Sequence, residues 1–149
     1  MGDLTEHFSR HEFSCKCGCG FDTVDYELLM NLEKLADRFM EKEPDAHRVA
    51  IHINSGNRCR EHDRKIKIKQ AQKAGRPFIE KKSKSQHLVG RAADFRMEYV
   101  FENGRRKIPD DDIADLLELI YVARHGIGRY SGRTHYDTRT NGPARWDNR

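Results

Sequence analysis

The chain has 149 residues, 36% hydrophobic and 35% charged, with a net charge of +4. A chain of this length suits one domain that buries roughly two-thirds of its unfolded surface, so folding alone requires neither a disulfide nor a metal. No apolar run approaches the roughly 18 to 20 residues of a membrane helix, which excludes membrane insertion by that route.

The opening Met1-Gly2-Asp3-Leu4-Thr5-Glu6 has no basic segment followed by an apolar stretch. The expectation is therefore synthesis in the cytoplasm without an ordinary secretory signal peptide. Residues 1–21 carry Phe8, Phe13, Phe21, Gly18 and Gly20 without a helical period. They are expected to form an irregular N-terminal arm on a single domain spanning 1–149. Within the arm, Cys15, Cys17 and Cys19 alternate with Lys16 and Gly18, and Cys59 is the fourth thiol. Reduced thiols are the default reading. The crowding departs from the usual zinc pairs two residues apart, and a structural zinc or a disulfide from Cys59 to one of the three stand as alternatives.

Leu28, Leu29, Leu32, Leu35, Ala36, Phe39 and Met40 repeat with helical spacing and predict a helix over 25–42. Asp22 or Thr23 is placed to cap it, and Pro44 to end it. Residues 48–54 alternate as a strand, with Val49, Ile51 and Ile53 on one face, before a turn at Ser55-Gly56. Between Arg60 and Lys84 ten Lys or Arg stand against three acids, a local +7. Such a block suits a solvated helix, nucleic acid or the anionic polymers of a cell wall. Ile66 and Ile68 hint at a strand, but Gln70 to Ala74 before Gly75 favours a helix over 64–74. A strand over 92–101, a turn at Glu102-Asn103-Gly104 and a return to about Ile108 follow. Pro109 to Asp112 opens a second helix with Ile113, Leu116, Leu117, Ile120 and Tyr121 on its apolar face. Residues 126–130 and 133–139 read as two further strands. The order predicts an α+β fold, a mostly antiparallel sheet with helices packed on one face.

His87, Asp94 and His135 carry the chemistry. Asp94 lies in an apolar strand, Ala92-Ala93-Asp94-Phe95. A buried carboxylate there needs a partner, either an Arg or a metal ion. Zinc donors sit about 2.0 to 2.2 Å from the ion, whereas seven residues span about 10 Å of helix or about 23 Å of strand. His87 and Asp94 can share an ion only if the chain folds back between them, and Gly90 lies midway to allow the turn. On a strand, His135 and Asp137 face the same side, so Asp137 is placed to orient a ligand. Three protein ligands leave one exchangeable position, the catalytic rather than the structural arrangement.

The run Ser85-x-His87-x-x-Gly90-x-Ala92-x-Asp94 resembles the signature of the zinc D-Ala-D-Ala carboxypeptidases and dipeptidases, which recurs in the hedgehog signalling domain. Thr134-His135-Tyr136-Asp137 through Ala144-Arg145-Trp146 resembles the murein endopeptidase branch of bacteria and phages. Ser55-Gly56-Asn57-Arg58-Cys59 and the Glu12-Phe13-x-Cys15-x-Cys17-Gly18-Cys19 element are similar to further blocks of that branch. The resemblance implies a hedgehog/DD-peptidase-like fold and a single zinc ion on His87, Asp94 and His135. It implies Arg58 as a cation that binds substrate carboxylate or carbonyl oxygen, with Ser85 as a second substrate-binding candidate. Many relatives carry an acid three residues before the last His, where this chain has Gly132. Asp137 and His125 are then the remaining candidates for general base.

The expected activity is hydrolysis of peptide bonds in peptidoglycan stem peptides by a monomer, acting on the cell wall after release or delivery, as a phage lysis enzyme would. The rival readings are a non-catalytic zinc domain that binds the wall and a nucleic-acid binder using residues 60–84. Phe78 is the only aromatic in that stretch, so nucleic acid is not the expected partner.

Overall fold

A computed structural model describes residues 2–149. Its helices are α1 (Tyr26–Lys42), α2 (Arg60–Lys73) and α3 (Asp110–Ile120). Its strands are β1 (Arg48–Ser55), β2 (Ala92–Phe101), β3 (Gly104–Lys107), β4 (Gly126–Tyr130), β5 (Arg133–Asp137) and β6 (Ala144–Asp147). Short 3-10 turns occupy Arg10–Phe13 and Gln86–Val89. The fold is α+β, and the sheet runs β1-β2-β5-β4-β6, with β3 paired to the distal half of β2. All pairings are antiparallel except β4 with β6, which is parallel, so the sheet is mixed. No helix among the described residues is long and apolar enough to cross a membrane.

Strand alternation divides the sheet into two chemistries. Ala93, Phe95, Met97 and Tyr99 of β2, with Ile127 and Tyr136, join α1, α3 and Phe8 and Phe13 of the N-terminal arm in one buried core. The intervening residues, including Asp94 and His135, face the other side. The arm is thus part of the core: Phe8 and Phe13 are buried, with ring centroids 5.5 Å apart.

Several boundaries differ from the sequence reading. Asp25, rather than Asp22 or Thr23, caps α1 and accepts from the Leu28 N–H at 3.2 Å. It also accepts from the Thr138 hydroxyl at 2.7 Å, which ties the start of α1 to the end of β5. α2 begins at Arg60, four residues earlier than periodicity placed it, because the Cys59 sulfur caps it and accepts from the His62 N–H. Strand β6 falls in a segment to which the sequence reading gave no element.

Candidate metal centre

The register of the sheet builds the centre. Ser55 pairs with Asp94, Asp94 with His135, His135 with Gly128 and Gly128 with Trp146. One transverse row therefore crosses five strands on the face away from the core. His87 reaches this row from outside the sheet. It lies in the 3-10 turn whose first N–H groups are capped by Ser85, the Ser85 hydroxyl accepting from the His87 N–H at 3.4 Å. Gly90 then adopts φ 71°, and a Cβ there would lie 2.5 Å from the Thr23 carbonyl. Both features demand glycine, and the chain doubles back there into β2.

His87, Asp94 and His135 are buried, and each offers a donor atom within 4.8 Å of the others. The His87 Nδ1–H donates to the Gly56 carbonyl at 2.5 Å. A carbonyl can only accept, so a neutral ring turns the lone pair of Nε2 toward Asp94 Oδ2, 3.4 Å away. Arg58 Nη2 donates to that same Oδ2 at 3.3 Å, and the lone pair of His87 Nε2 beside it suits a further cation. Asp94 Oδ1 lies 2.8 Å from Nδ1 of His135, and Nε2 of His135 lies 2.7 Å from Asp137 Oδ2. Without a metal, the His135 ring must donate from both nitrogens. Burial opposes its protonation, but the Asp137 and Asp94 carboxylates on either side outweigh burial and raise its pKa. Burial likewise opposes ionisation of Asp94, yet the His135 ring bonded to it holds its carboxyl far below the usual range.

Asp137 is fully buried behind His135. Arg139 donates to it three times, from Nε at 2.8 Å, Nη2 at 2.7 Å and the backbone N–H at 3.2 Å, and the Gly126 N–H donates at 3.1 Å. Its pKa is lowered: burial works against ionisation, and Arg139 and His135 overcome it. With its oxygens engaged in this way, Asp137 orients the His135 ring and is not positioned as a general base. His125 is separated from the cluster altogether. It bonds the Tyr136 hydroxyl at 2.7 Å and lies 3.2 Å from Glu27, on the core side of the sheet opposite His135. Gly132 forms the β4–β5 hairpin with φ 87°, a backbone position that an acidic residue adopts only with strain.

Arg58 does join the cluster. Its Nη2 lies 3.3 Å from Asp94 Oδ2, its Nε donates to Ser55 Oγ at 3.3 Å, and its Nη1 is 3.6 Å from Asp63. Asp63 is itself buried and held by Lys67 at 2.9 Å. Ser85 is engaged locally as the turn cap.

Other residues at the site were given no role by the sequence alone. The Trp146 ring packs on His135 at 4.9 Å between centroids, its N–H donates to Tyr130 at 2.9 Å, and the Arg139 guanidinium lies 5.5 Å from it. Room for the indole exists because residue 128 is glycine. The lone Trp of the chain facing a glycine was the available signal. A cleft of about 490 Å³ between α2 and residues 76–83 runs alongside, reaching Leu88 next to His87. Six basic residues, from Arg60 to Lys82, line it beside the acids Asp63 and Glu80.

A second group of donors lies elsewhere. Cys15, Cys17, Cys19 and Cys59 bring their sulfurs within 4.8 Å of one another and could hold a metal ion. They are free thiols, without a disulfide. Comparison with protein-family models, curated proteins and solved structures finds no match to the chain.

Proposed function

We propose that the chain is a zinc-dependent peptidase that hydrolyses peptide bonds of bacterial peptidoglycan stem peptides, of the D-Ala carboxypeptidase or endopeptidase type. The hedgehog/DD-peptidase-like fold belongs to the same reading. The observation that carries it is the pair of opposed acceptors, Nε2 of His87 and the Asp94 carboxylate, with His135 closing the third side. The donor set, two imidazoles and one carboxylate, suits zinc and leaves a position open. Zinc, when bound by His87, Asp94 and His135, supplies Lewis-acid polarisation of a carbonyl and acidifies water.

The remaining work falls to the protein. The Gly56 carbonyl fixes the tautomer of His87, and Asp137, clamped by Arg139, fixes the His135 ring. Arg58, at the Asp94 carboxylate, is the group placed to bind a substrate carboxylate or the oxygen of a scissile carbonyl as charge develops there. The basic cleft along α2 suits the anionic polymers that accompany stem peptides in the wall. The chain would act as a monomer, after release or delivery to the wall.

Digestion of defined muropeptides, with products identified by mass, tests the reading. Wild type should release a defined fragment, and His87→Ala should release none. Intact substrate with zinc-loaded wild type would overturn it. A second reading, a non-catalytic zinc domain that binds the wall, draws on Gly132 at the hairpin and on the burial of the cluster. It predicts co-sedimentation with murein sacculi without turnover.

A further inference from the structure

The four cysteines come from two distant segments, and the backbone is shaped to bring them together. Cys15 Sγ lies 3.4 Å from Cys17 Sγ, and Cys17 Sγ lies 3.6 Å from Cys59 Sγ. A disulfide would need about 2.05 Å. Four thiolates around one zinc at about 2.3 Å would stand about 3.8 Å apart along each tetrahedral edge. The observed separations lie close to that edge.

The loop is closed by backbone bonds, from the Cys15 N–H to the Phe21 carbonyl at 2.8 Å and from the Gly18 N–H to the Cys15 carbonyl at 3.2 Å. Residues 16–20 are all exposed, so no core contact holds them. Gly18 and Gly20 adopt φ 81° and 87°, and a Cβ on either would meet nothing. Their role is therefore backbone shape: they coil a Cys-x-Cys-x-Cys run, whose side chains would otherwise be strung out along an extended chain, around one point. Backbone N–H groups also aim at the sulfurs, Cys59 N–H at Cys15 Sγ and His62 N–H at Cys59 Sγ, both at 3.4 Å. Cys59 caps the N-terminus of α2, where the helix dipole favours a thiolate.

We infer that Cys15, Cys17, Cys19 and Cys59 form a closed four-thiolate structural zinc site, separate from the His87–Asp94–His135 centre. Binding displaces the thiol protons to solvent as four sulfurs replace the ion's waters. The site fastens the N-terminal arm to the β1–α2 junction. That junction supplies the Gly56 carbonyl to His87 and carries Arg58 to Asp94, and the Asn57 N–H meets the Phe13 carbonyl across the same seam at 2.8 Å. The zinc thus braces the second centre without touching it.

The test is a zinc count by mass spectrometry on reduced, desalted full-length protein, with cobalt substitution as a second measurement. Wild type should hold two zinc ions. The exposed pair Cys17→Ser/Cys19→Ser should hold one, and His87→Ala should hold one. The cobalt form of wild type should carry an intense thiolate-to-metal charge-transfer band that His87→Ala retains. Four freely reactive thiols in zinc-loaded wild type, no such band, or an oxidised pair by mass would overturn the assignment. If only the peptidase centre fails, wild type holds one zinc, lost in the cysteine variant and kept in His87→Ala.

Discussion

At the scale of single residues, positioning decides the chemistry of the proposed centre. Asp137 touches His135 rather than the place where a substrate would lie, and Arg139 anchors it. Asp137→Asn keeps the shape but weakens the hold on the ring, and zinc affinity should fall about 10- to 100-fold, read by competition with a chromogenic chelator. Arg58 is held by Ser55 and Asp63 with its guanidinium at Asp94. Arg58→Met removes a donor expected to act on the developing oxyanion. Muropeptide turnover should drop about 100-fold, with one zinc still bound to the His87–Asp94–His135 centre. Equal kcat in the variant would remove Arg58 from the mechanism. The grouping of His87 with Asp94 was legible in the sequence because their spacing brings the donors together only through a turn at Gly90. The general-base candidates were not: distance along a strand says which face Asp137 takes, but not that Arg139 occupies its oxygens. Nothing in the segment around His125 signals that its ring turns to the core.

At the scale of elements, the row from Ser55 to Trp146 makes the site a property of register. A slip by one residue in β5 would send His135 into the core and Tyr136 out. Strand β6 completes the row by laying Trp146 over Gly128, where a Cβ would fall 2.4 Å from the indole. Gly128→Val should therefore push Trp146 off His135. The expected outcome is a red-shifted Trp fluorescence maximum and a loss of about 1 to 3 kcal/mol of stability from overpacking, measured by urea unfolding. The long periodic elements, α1, β1, β2 and α3, were readable because each buries one regular face in a common core. β6 was not, since a four-residue strand whose residues alternate between partly buried and exposed carries too little apolar pattern. The start of α2 was hidden for a different reason: cysteine is not an ordinary cap, and Cys59 serves here through its sulfur.

At the scale of the whole molecule, the N-terminal arm is bound into the core through Phe8 and Phe13. Phe8→Ala should cost about 3 to 5 kcal/mol, whereas a loosely draped arm would lose almost nothing on the same denaturation curve. His125 adds a pH dependence of its own. It is buried beneath Tyr121 and Tyr136, with Glu27 and Arg124 as the facing charges. Burial lowers its pKa, Glu27 partly restores it, and Arg124 lowers it further, so the folded state keeps the ring neutral where the unfolded chain would protonate it. Because the unfolded state then binds the extra proton, this contribution to stability is present above the unfolded pKa of about 6.5 and is lost as pH falls from there toward the folded value. The lowered carboxylate of Glu33 acts in the same direction, but its reference value is 4.5, so its window lies at more acid pH. As pH falls below about 6.5 and before the Glu33 window is reached, His125→Asn should show a flatter decline in stability than wild type when both are unfolded by urea at stepped pH. Parallel slopes for the two proteins would mean that the ring is solvated, and that the Tyr136–His125 contact does not shield it.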